Sequence, residues 1–208
     1  MNISIIKKYN DLCEKPSDIN EHLPTLFNYA LLCDSILECG VRRCVSSWAF
    51  VYGLLYNNDL KDKYLLLNDI TECNVDEIKL ITKNTLLQID TKWVSNLEIN
   101  FERNYDLIFI DTWHVYGQLK RELNYLHKYA TKYIIIHDTE IDKITSESIR
   151  NNHNIELKMK LYNFSKQEVE DGLEKAINEF LFEHREWKIK EQFTNNNGLT
   201  ILEKYNTN

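Results

Sequence analysis

Short apolar runs alternate with stretches of helical periodicity along most of this chain. Two of the runs, at 107–111 and 133–138, are apolar on successive residues, which indicates strands with both faces covered. The predicted strands are Ser35–Glu38, Tyr64–Asp69, Thr85–Ile89, Asp106–Asp111 and Tyr133–His137. The predicted helices between them are Ser46–Tyr56, Asn74–Lys83 and Tyr116–Ala130. This alternation predicts a parallel sheet with helices on both faces.

The two ends of the chain depart from the alternation. Near the N-terminus, Pro24 opens an apolar stretch that reads as a helix, because a first-turn proline loses no needed hydrogen bond. Near the C-terminus, Ser165-Lys166-Gln167-Glu168 predicts a capping box that begins one long helix to about Arg185. WKIKEQF, a turn at 195–198 and LTILEKY then predict a β-hairpin. The segment 142–164 has a helix-then-strand pattern, and we expect a lid or substrate loop there.

Length and composition favour one globular domain. The chain has 208 residues, of which 43% are hydrophobic and 27% charged, so a core can form. We expect a single domain over 1–208, with a helical extension at 1–34 and the core at 35–204. Five cysteines without a CxxC pair predict reduced thiols in a reducing compartment.

Charge and hydropathy exclude several partners. The net charge of −7 disfavours autonomous binding of nucleic acid, whose phosphates an acidic surface repels. No apolar run approaches the roughly 20 residues of a membrane-spanning helix, and the N-terminal stretch lacks the features of a signal peptide. We therefore expect a cytoplasmic protein with no membrane partner, and a homodimer stays open.

Every predicted strand ends in a polar or ionisable group. These groups are Glu38-Cys39-Gly40, Asp69, Asp90, Asp111 with His114, and His137-Asp138. Because ligands of open α/β sheets bind beyond the carboxyl ends of the strands, we expect a site at this edge.

Three stretches carry a resemblance to a known family. SILECGVRRCVSSW resembles the first motif of class I S-adenosylmethionine (SAM) dependent methyltransferases, and LLLNDI resembles the second. IDTWHVYGQLKREL, IIIHDT and the late NNNGLTIL resemble the small-molecule O-methyltransferases of the macrocin and rhamnosyl type, a group that includes cephalosporin-hydroxylase-like sequences. The similarity runs from about Asp18 to Glu203. It implies a Rossmann-like, doubly wound sheet of about seven strands, five of them parallel, with a C-terminal antiparallel hairpin and a catalytic core at 35–204.

The resemblance implies a cofactor site for SAM. Its predicted residues are Glu38, Gly40, Ser46, Asp69 and Asp90. In this interpretation Gly40 lets the backbone approach the cofactor, Asp69 binds the ribose hydroxyls and Asp90 lies near the adenine amino group. Cys44 stands where the family usually has a second glycine, and its Cβ is expected to oppose a positive φ. NAD fits less well, because no GxGxxG follows the first strand.

The acceptor side is predicted at Asp111, His114, His137 and Asp138. His114, assisted by Asp111, is placed to take a proton from an acceptor hydroxyl. Asp111, His137 and Asp138 match positions where some members bind a divalent cation, Mg²⁺ or Mn²⁺, although imidazole suits Mn²⁺, Fe or Zn²⁺ better than Mg²⁺.

The function predicted from these features is SAM-dependent O-methyl transfer to a small hydroxylated molecule, with a sugar or glycan unit suggested by the resemblance alone. Two alternatives stay open at this point. One is a catalytically silent domain that binds ligands or partners, and the other is a methyltransferase for a macromolecule.

Overall fold

The computed structural model describes residues 3–57 and 61–205, and these form one seven-stranded sheet. Its strands are β1 (Ser35–Cys39), β2 (Lys63–Asp69), β3 (Leu87–Trp93), β4 (Tyr105–Ile110), β5 (Ala130–His137), β6 (Trp187–Phe193) and β7 (Leu199–Lys204). They lie in the order β3-β2-β1-β4-β5-β7-β6. The first five are parallel, and β7 runs antiparallel to both β5 and β6. The predicted fold class, including the terminal hairpin, is confirmed.

Helices cover both faces of the sheet. They are α1 (Ile3–Glu14), α2 (Leu23–Ala30), α3 (Val45–Tyr56), α4 (Asp76–Thr82), α5 (Tyr116–Leu126), α6 (Glu147–Arg150), α7 (Ile155–Tyr162), α8 (Lys166–Glu170) and α9 (Leu173–Glu183). Successive strand residues point to opposite faces, so Phe109 packs with α1 to α4 and Ile108 packs with α5 and α9. Both residues are fully buried, which explains the continuous apolar runs of the central strands. Among the described residues, no helix is long and apolar enough to cross a membrane.

Strand β3 lies further along the chain than predicted. It pairs with β2 in register from Lys63 opposite Leu87 to Asp69 opposite Trp93. The polar residues that suggested its end after Ile89 continue the strand instead. They do so because β3 is an edge strand whose backbone still pairs with β2 while its side chains stay partly exposed.

The predicted long C-terminal helix is two helices, α8 and α9. The capping box at Ser165 and Glu168 forms as expected. The break falls at Asp171 and Gly172, because this segment pairs with Thr145 and a Cβ at Gly172 would lie 2.4 Å from the carbonyl oxygen of Asp142. Tertiary contact therefore overrides a continuous helical periodicity.

The segment 142–164 contains two short helices, α6 and α7, and the predicted strand in it is wrong. Side chains cap both helices: the Ser146 hydroxyl accepts from the Ile149 N–H, and the Asn154 side-chain oxygen Oδ1 accepts from the Leu157 N–H. Such local capping bonds satisfy free N–H groups at a helix start and favour a helix over a strand.

Candidate active site

The loop between β1 and α3 has an unusual backbone. Gly40 has a φ of +94°, and the non-glycine residues Arg42 and Cys44 have φ values of 41° and 60°. Cys44 therefore adopts the left-handed conformation that its Cβ was expected to oppose, and that expectation is wrong. A Cβ at Gly40 would lie only 1.8 Å from the Asp111 carbonyl oxygen, so the ends of β1 and β4 can meet only over a glycine.

Glu38 lies behind this loop and binds Ser46, in the first turn of the helix α3 that follows the loop. Its side chain is fully buried, and its Oε1 accepts a hydrogen bond from the Ser46 hydroxyl. Its Oε2 has no hydrogen-bond partner within the part of the chain that the structure describes. Burial raises the pKa of Glu38 to about 8, because a charged carboxylate loses its hydration there. No side chain of the described residues caps the start of α3.

Asp69 holds the same loop from the end of β2. Its Oδ2 accepts from the backbone N–H groups of Val41 (3.0 Å) and Arg42 (3.1 Å), and its Oδ1 accepts from that of Thr71 (3.0 Å). Three of the roughly four acceptor positions of the carboxylate are therefore used by the backbone. The sequence predicted Asp69 as a ribose ligand and did not predict this contact with the loop.

A cleft of about 600 Å³ opens in front of the loop. Gly40, Ser46 and Asp111 line it, together with residues of α1, of the segment that follows α1, and of the start of α4. Glu38 and Asp69 do not belong to its wall. The structure thus brings four of the five predicted cofactor residues to one loop, two at the cleft surface and two behind it.

Asp90 is the predicted cofactor residue that lies elsewhere. It sits in the middle of β3, where its Oδ2 accepts from the Tyr64 hydroxyl (2.9 Å) and the Gln88 amide (3.0 Å). The expected position of Asp90 at a strand end is wrong, because β3 continues to Trp93.

His114 lies between two carboxylates at the ends of β4 and β5. Its Nε2 is 3.1 Å from Asp111 Oδ1, and its Nδ1 is 3.0 Å from Asp138 Oδ2. Burial alone would lower the pKa of His114, but the hydrogen bond to Asp111 and the charge of Asp138 raise it above its usual value. Burial would raise the pKa of Asp111, but hydrogen bonds with His114 and His137 hold it well below its usual range. The structure therefore places the two predicted catalytic residues in direct contact.

His137 is fully buried behind this pair. Its Nδ1 lies 3.4 Å from both Asp111 Oδ1 and Asp138 Oδ2, and its Nε2 lies 3.3 Å from the Asn196 carbonyl oxygen. A carbonyl oxygen only accepts, so Nε2 carries a proton, and Nδ1 faces two anions. Burial opposes protonation, but the two aspartates raise the pKa of His137 to about 10. A protonated imidazole offers no lone pair to a metal.

Two carboxylates that sequence reasoning missed complete the site. Asp142 Oδ2 lies 3.6 Å and Glu147 Oε2 lies 3.5 Å from His114 Nδ1. Asp142 is fully buried and binds the guanidinium of Arg150 through two hydrogen bonds of 2.8 Å. Both acids belong to the segment 142–164. The prediction of a lid or substrate loop there was the one indication in the sequence that its acids could reach the site.

Among the described residues, two groups of histidine and acid have the spacing of a metal site. One is Asp111, His114 and Asp138, whose ligand atoms all lie within 4.8 Å of one another. Asp138 Oδ1 is buried and has no hydrogen-bond partner in residues 3–57 and 61–205, so the group contains an acceptor that these residues do not use. His114 thus takes the place that sequence reasoning gave to His137. Two carboxylates and one imidazole suit Mn²⁺ or Zn²⁺ better than Mg²⁺.

The strand order, the glycine loop after β1 and the cleft at the carboxyl ends of the strands define the fold of class I SAM-dependent methyltransferases. Solved structures agree. Podospora anserina methyltransferase PaMTH1 with bound S-adenosylhomocysteine has a TM-score of 0.59 at 12% identity, over 99% of this chain and 89% of that one. The Bacillus cereus O-methyltransferase has a TM-score of 0.57 at 14% sequence identity, over 98% of this chain and 92% of that one. The N-methyltransferase NodS of Bradyrhizobium japonicum has a TM-score of 0.56 at 14% identity, over 97% of this chain and 99% of that one. No protein-family model and no curated protein matches the sequence.

Proposed function

We propose that this protein transfers a methyl group from SAM to a hydroxyl group of a small molecule. The observation that carries the proposal is the position of Asp111, which lines the cleft and also contacts His114. A methyl donor in the cleft and a proton acceptor beside it are the two components that O-methylation requires. A sugar or glycan unit is our preferred acceptor class, and this preference rests on the sequence resemblance.

The residues at the cleft fit SAM as a ligand. The volume of the cleft, about 600 Å³, falls within the roughly 300–1,000 Å³ of small-molecule sites. We assign Gly40 and Ser46 to direct contact with SAM, and Glu38 and Asp69 to holding the loop in the shape that SAM needs. When bound, SAM would supply a methyl carbon attached to a positively charged sulfur, so that an acceptor oxygen could bond to this carbon while the carbon–sulfur bond breaks and the sulfur leaves as a neutral thioether.

His114 is the proposed general base. The acceptor oxygen must lose its proton as it bonds to the methyl carbon, and a neutral imidazole in reach takes that proton. Asp111 accepts from the Nε2–H and holds the ring, and the acceptor hydroxyl gives its proton to Nδ1, taking the position beside it that Asp138 Oδ2 occupies in the structure at 3.0 Å. Both carboxylates then stabilise the imidazolium that forms. Because the pKa of His114 is raised, the neutral form is the minor one near the usual histidine pKa and grows as the pH rises.

A divalent cation fits the same residues. Asp111, His114 and Asp138 would hold it, and it would make an acceptor hydroxyl easier to deprotonate. In that version His114 binds the cation as the neutral imidazole.

The test is a methyl-transfer assay with labelled SAM and a panel of free sugars, glycosides and other hydroxylated small molecules. We expect label in an acceptor with the wild type and with His153→Gln, a control that removes a histidine outside the site. His114→Gln should lower the rate by roughly 10²- to 10⁴-fold while SAM affinity, measured by calorimetry, stays unchanged. Full activity of His114→Gln on a genuine acceptor would refute its role as the base.

A silent, ligand-binding domain is the second candidate. It is favoured by Asp69, whose carboxylate is already engaged by three backbone N–H groups. Calorimetry distinguishes the two, because absence of heat with both SAM and S-adenosylhomocysteine at millimolar concentration would support the silent domain. Label that appears only in added protein or nucleic acid would instead indicate a macromolecular acceptor.

A further inference from the structure

Two helix–strand junctions meet at the edge of the sheet opposite the candidate active site. Helix α5 is capped at its C-terminus by His127, shortly before β5 begins, and α9 is capped by His184, shortly before β6 begins. Since β7 is antiparallel to both strands, β5 and β6 run in the same direction and start at the same edge. The two histidine rings lie with their centroids 4.1 Å apart.

We propose that His127, His184 and Glu186 bind a divalent transition-metal ion of the Zn²⁺ class at this edge. Each residue offers one ligand atom, and these atoms all lie within 4.8 Å of one another. His184 Nδ1 is 3.5 Å from Glu186 Oε1. With metal–ligand bonds of about 2.0–2.1 Å, tetrahedral geometry places neighbouring ligand atoms about 3.3 Å apart, so this pair already has nearly the required separation. A water molecule would take the fourth position.

Backbone hydrogen bonds fix the segment that carries His184 and Glu186. The Trp187 N–H donates to the His184 carbonyl oxygen at 3.0 Å, which closes a turn that brings Glu186 beside His184. The Tyr205 N–H donates to the Glu186 carbonyl oxygen at 2.7 Å. A site whose ligands are held before the ion arrives loses less conformational entropy on binding.

The surroundings of the two imidazoles favour a bound cation. Both histidines lie at helix C-termini, where the free carbonyl groups carry partial negative charge. Burial and, to a smaller extent, the neighbouring His184 lower the pKa of His127 to about 4. The imidazole of His127 is therefore neutral at pH 7 and keeps a lone pair for a metal. Phe180 packs against both imidazoles, with its ring centroid 5.6 Å from that of His127 and 4.7 Å from that of His184, and so covers one side of the pair.

The ligand atoms and the charges near the site together set its preference among metals. Lys128 and Lys204 act on His127 as nearby positive charges and offset the charge of Glu186. Hard cations such as Mg²⁺ and Ca²⁺ depend on carboxylate oxygens, whereas imidazole nitrogens bind Zn²⁺, Ni²⁺ and Cu²⁺. The site should therefore bind Zn²⁺, Ni²⁺ or Cu²⁺ in preference to Mg²⁺ or Ca²⁺. Its ion would tie together the ends of α5 and α9.

The test is a Zn²⁺ titration by calorimetry in the Asp138→Asn background, which removes the other candidate metal group. We expect one ion per chain in this background and in a version that also carries His153→Gln, the control for loss of an unrelated histidine. Adding His127→Gln, His184→Gln or Glu186→Gln should weaken Zn²⁺ binding at least about tenfold, the minimum cost of losing even an outer partner of a metal ligand. Circular dichroism checks that each variant is folded, and Glu186→Gln supplies a change at a partly exposed side chain that leaves both rings in place.

Two further readouts separate this site from other sources of binding. Co²⁺ at the site should give the visible absorption of a four-coordinate ion without a thiolate-to-metal band, which excludes the five cysteines. Zn²⁺ should raise the melting temperature of Asp138→Asn, and the added His184→Gln change should remove that rise. The proposal is overturned if Asp138→Asn binds no Zn²⁺, or if the three added changes leave Zn²⁺ affinity unaltered.

Discussion

Replacing Glu38 by glutamine should make the protein's stability much less dependent on pH. Glu38 is fully buried and its pKa is raised from 4.5 to about 8 by the loss of hydration. Between these two values the folded state binds a proton that the unfolded state has lost. The stability contribution of Glu38 is therefore fully present below pH 4.5 and is lost as the pH rises through about 8. Glutamine keeps the acceptor for the Ser46 hydroxyl and does not titrate.

The magnitude follows from the same two pKa values. At about 1.4 kcal/mol for each unit of pKa difference, the wild type should lose roughly 3 kcal/mol more stability than Glu38→Gln between pH 5 and pH 8. This is a large part of the roughly 5–15 kcal/mol that stabilises a typical domain.

Urea unfolding at pH 5, 6.5 and 8 measures this difference, because other titrating groups cancel between the two proteins. Glu183→Gln, at an exposed position, is the matched control and should follow the wild type. If the difference in unfolding free energy between Glu38→Gln and the wild type were the same at all three pH values, the argument from burial would be refuted.

Four more predictions concern the loop and the acceptor site. Gly40→Ala should cost more than about 3 kcal/mol of unfolding free energy, since its Cβ would overlap the Asp111 carbonyl oxygen, and a loss below 1 kcal/mol in urea would contradict this. Asp69→Ala should weaken SAM binding roughly 5- to 150-fold by calorimetry, through loss of the loop's hydrogen bonds, and an unchanged Kd would remove Asp69 from the cofactor site. The methyl-transfer rate should fall as the pH drops through the raised pKa of His114, and a flat pH–rate profile would argue against a histidine base. Turnover should survive EDTA, because His114 takes the proton as an imidazole without a bound ion, whereas loss of turnover in EDTA and its return with Mn²⁺ would make His114 a metal ligand and not the base.

Much of the fold followed from local signals in the sequence. The central strands were predictable because both of their faces are buried, which requires apolar residues at successive positions. The proline in the first turn of α2, the capping box at Ser165 and the terminal hairpin follow from the chemistry of a few adjacent residues. These signals act within a turn of helix or along one strand, so they survive without knowledge of the neighbours.

Other features of the fold depended on contacts between distant segments. The helical pattern from 165 to 185 is continuous in sequence, but the segment at Thr145 approaches Asp171 and Gly172 and interrupts the helix. Strand β3 continues past Asp90 because the whole of β2 lies beside it as a pairing partner. Neither effect leaves a mark in the local pattern of hydrophobic and polar residues.

The candidate site divides in the same way. The sequence placed Asp111, His114, His137 and Asp138 at one sheet edge, because parallel strands end together. Only the tertiary structure decided that His114 lies between the two aspartates and that His137 is buried behind them. It likewise revealed that Asp69 binds the loop after β1, a contact that the sequence did not predict. The physical reason is that strand order selects which residues meet, whereas hydrogen-bond partners within an ångström or two depend on how loops from distant parts of the chain pack together.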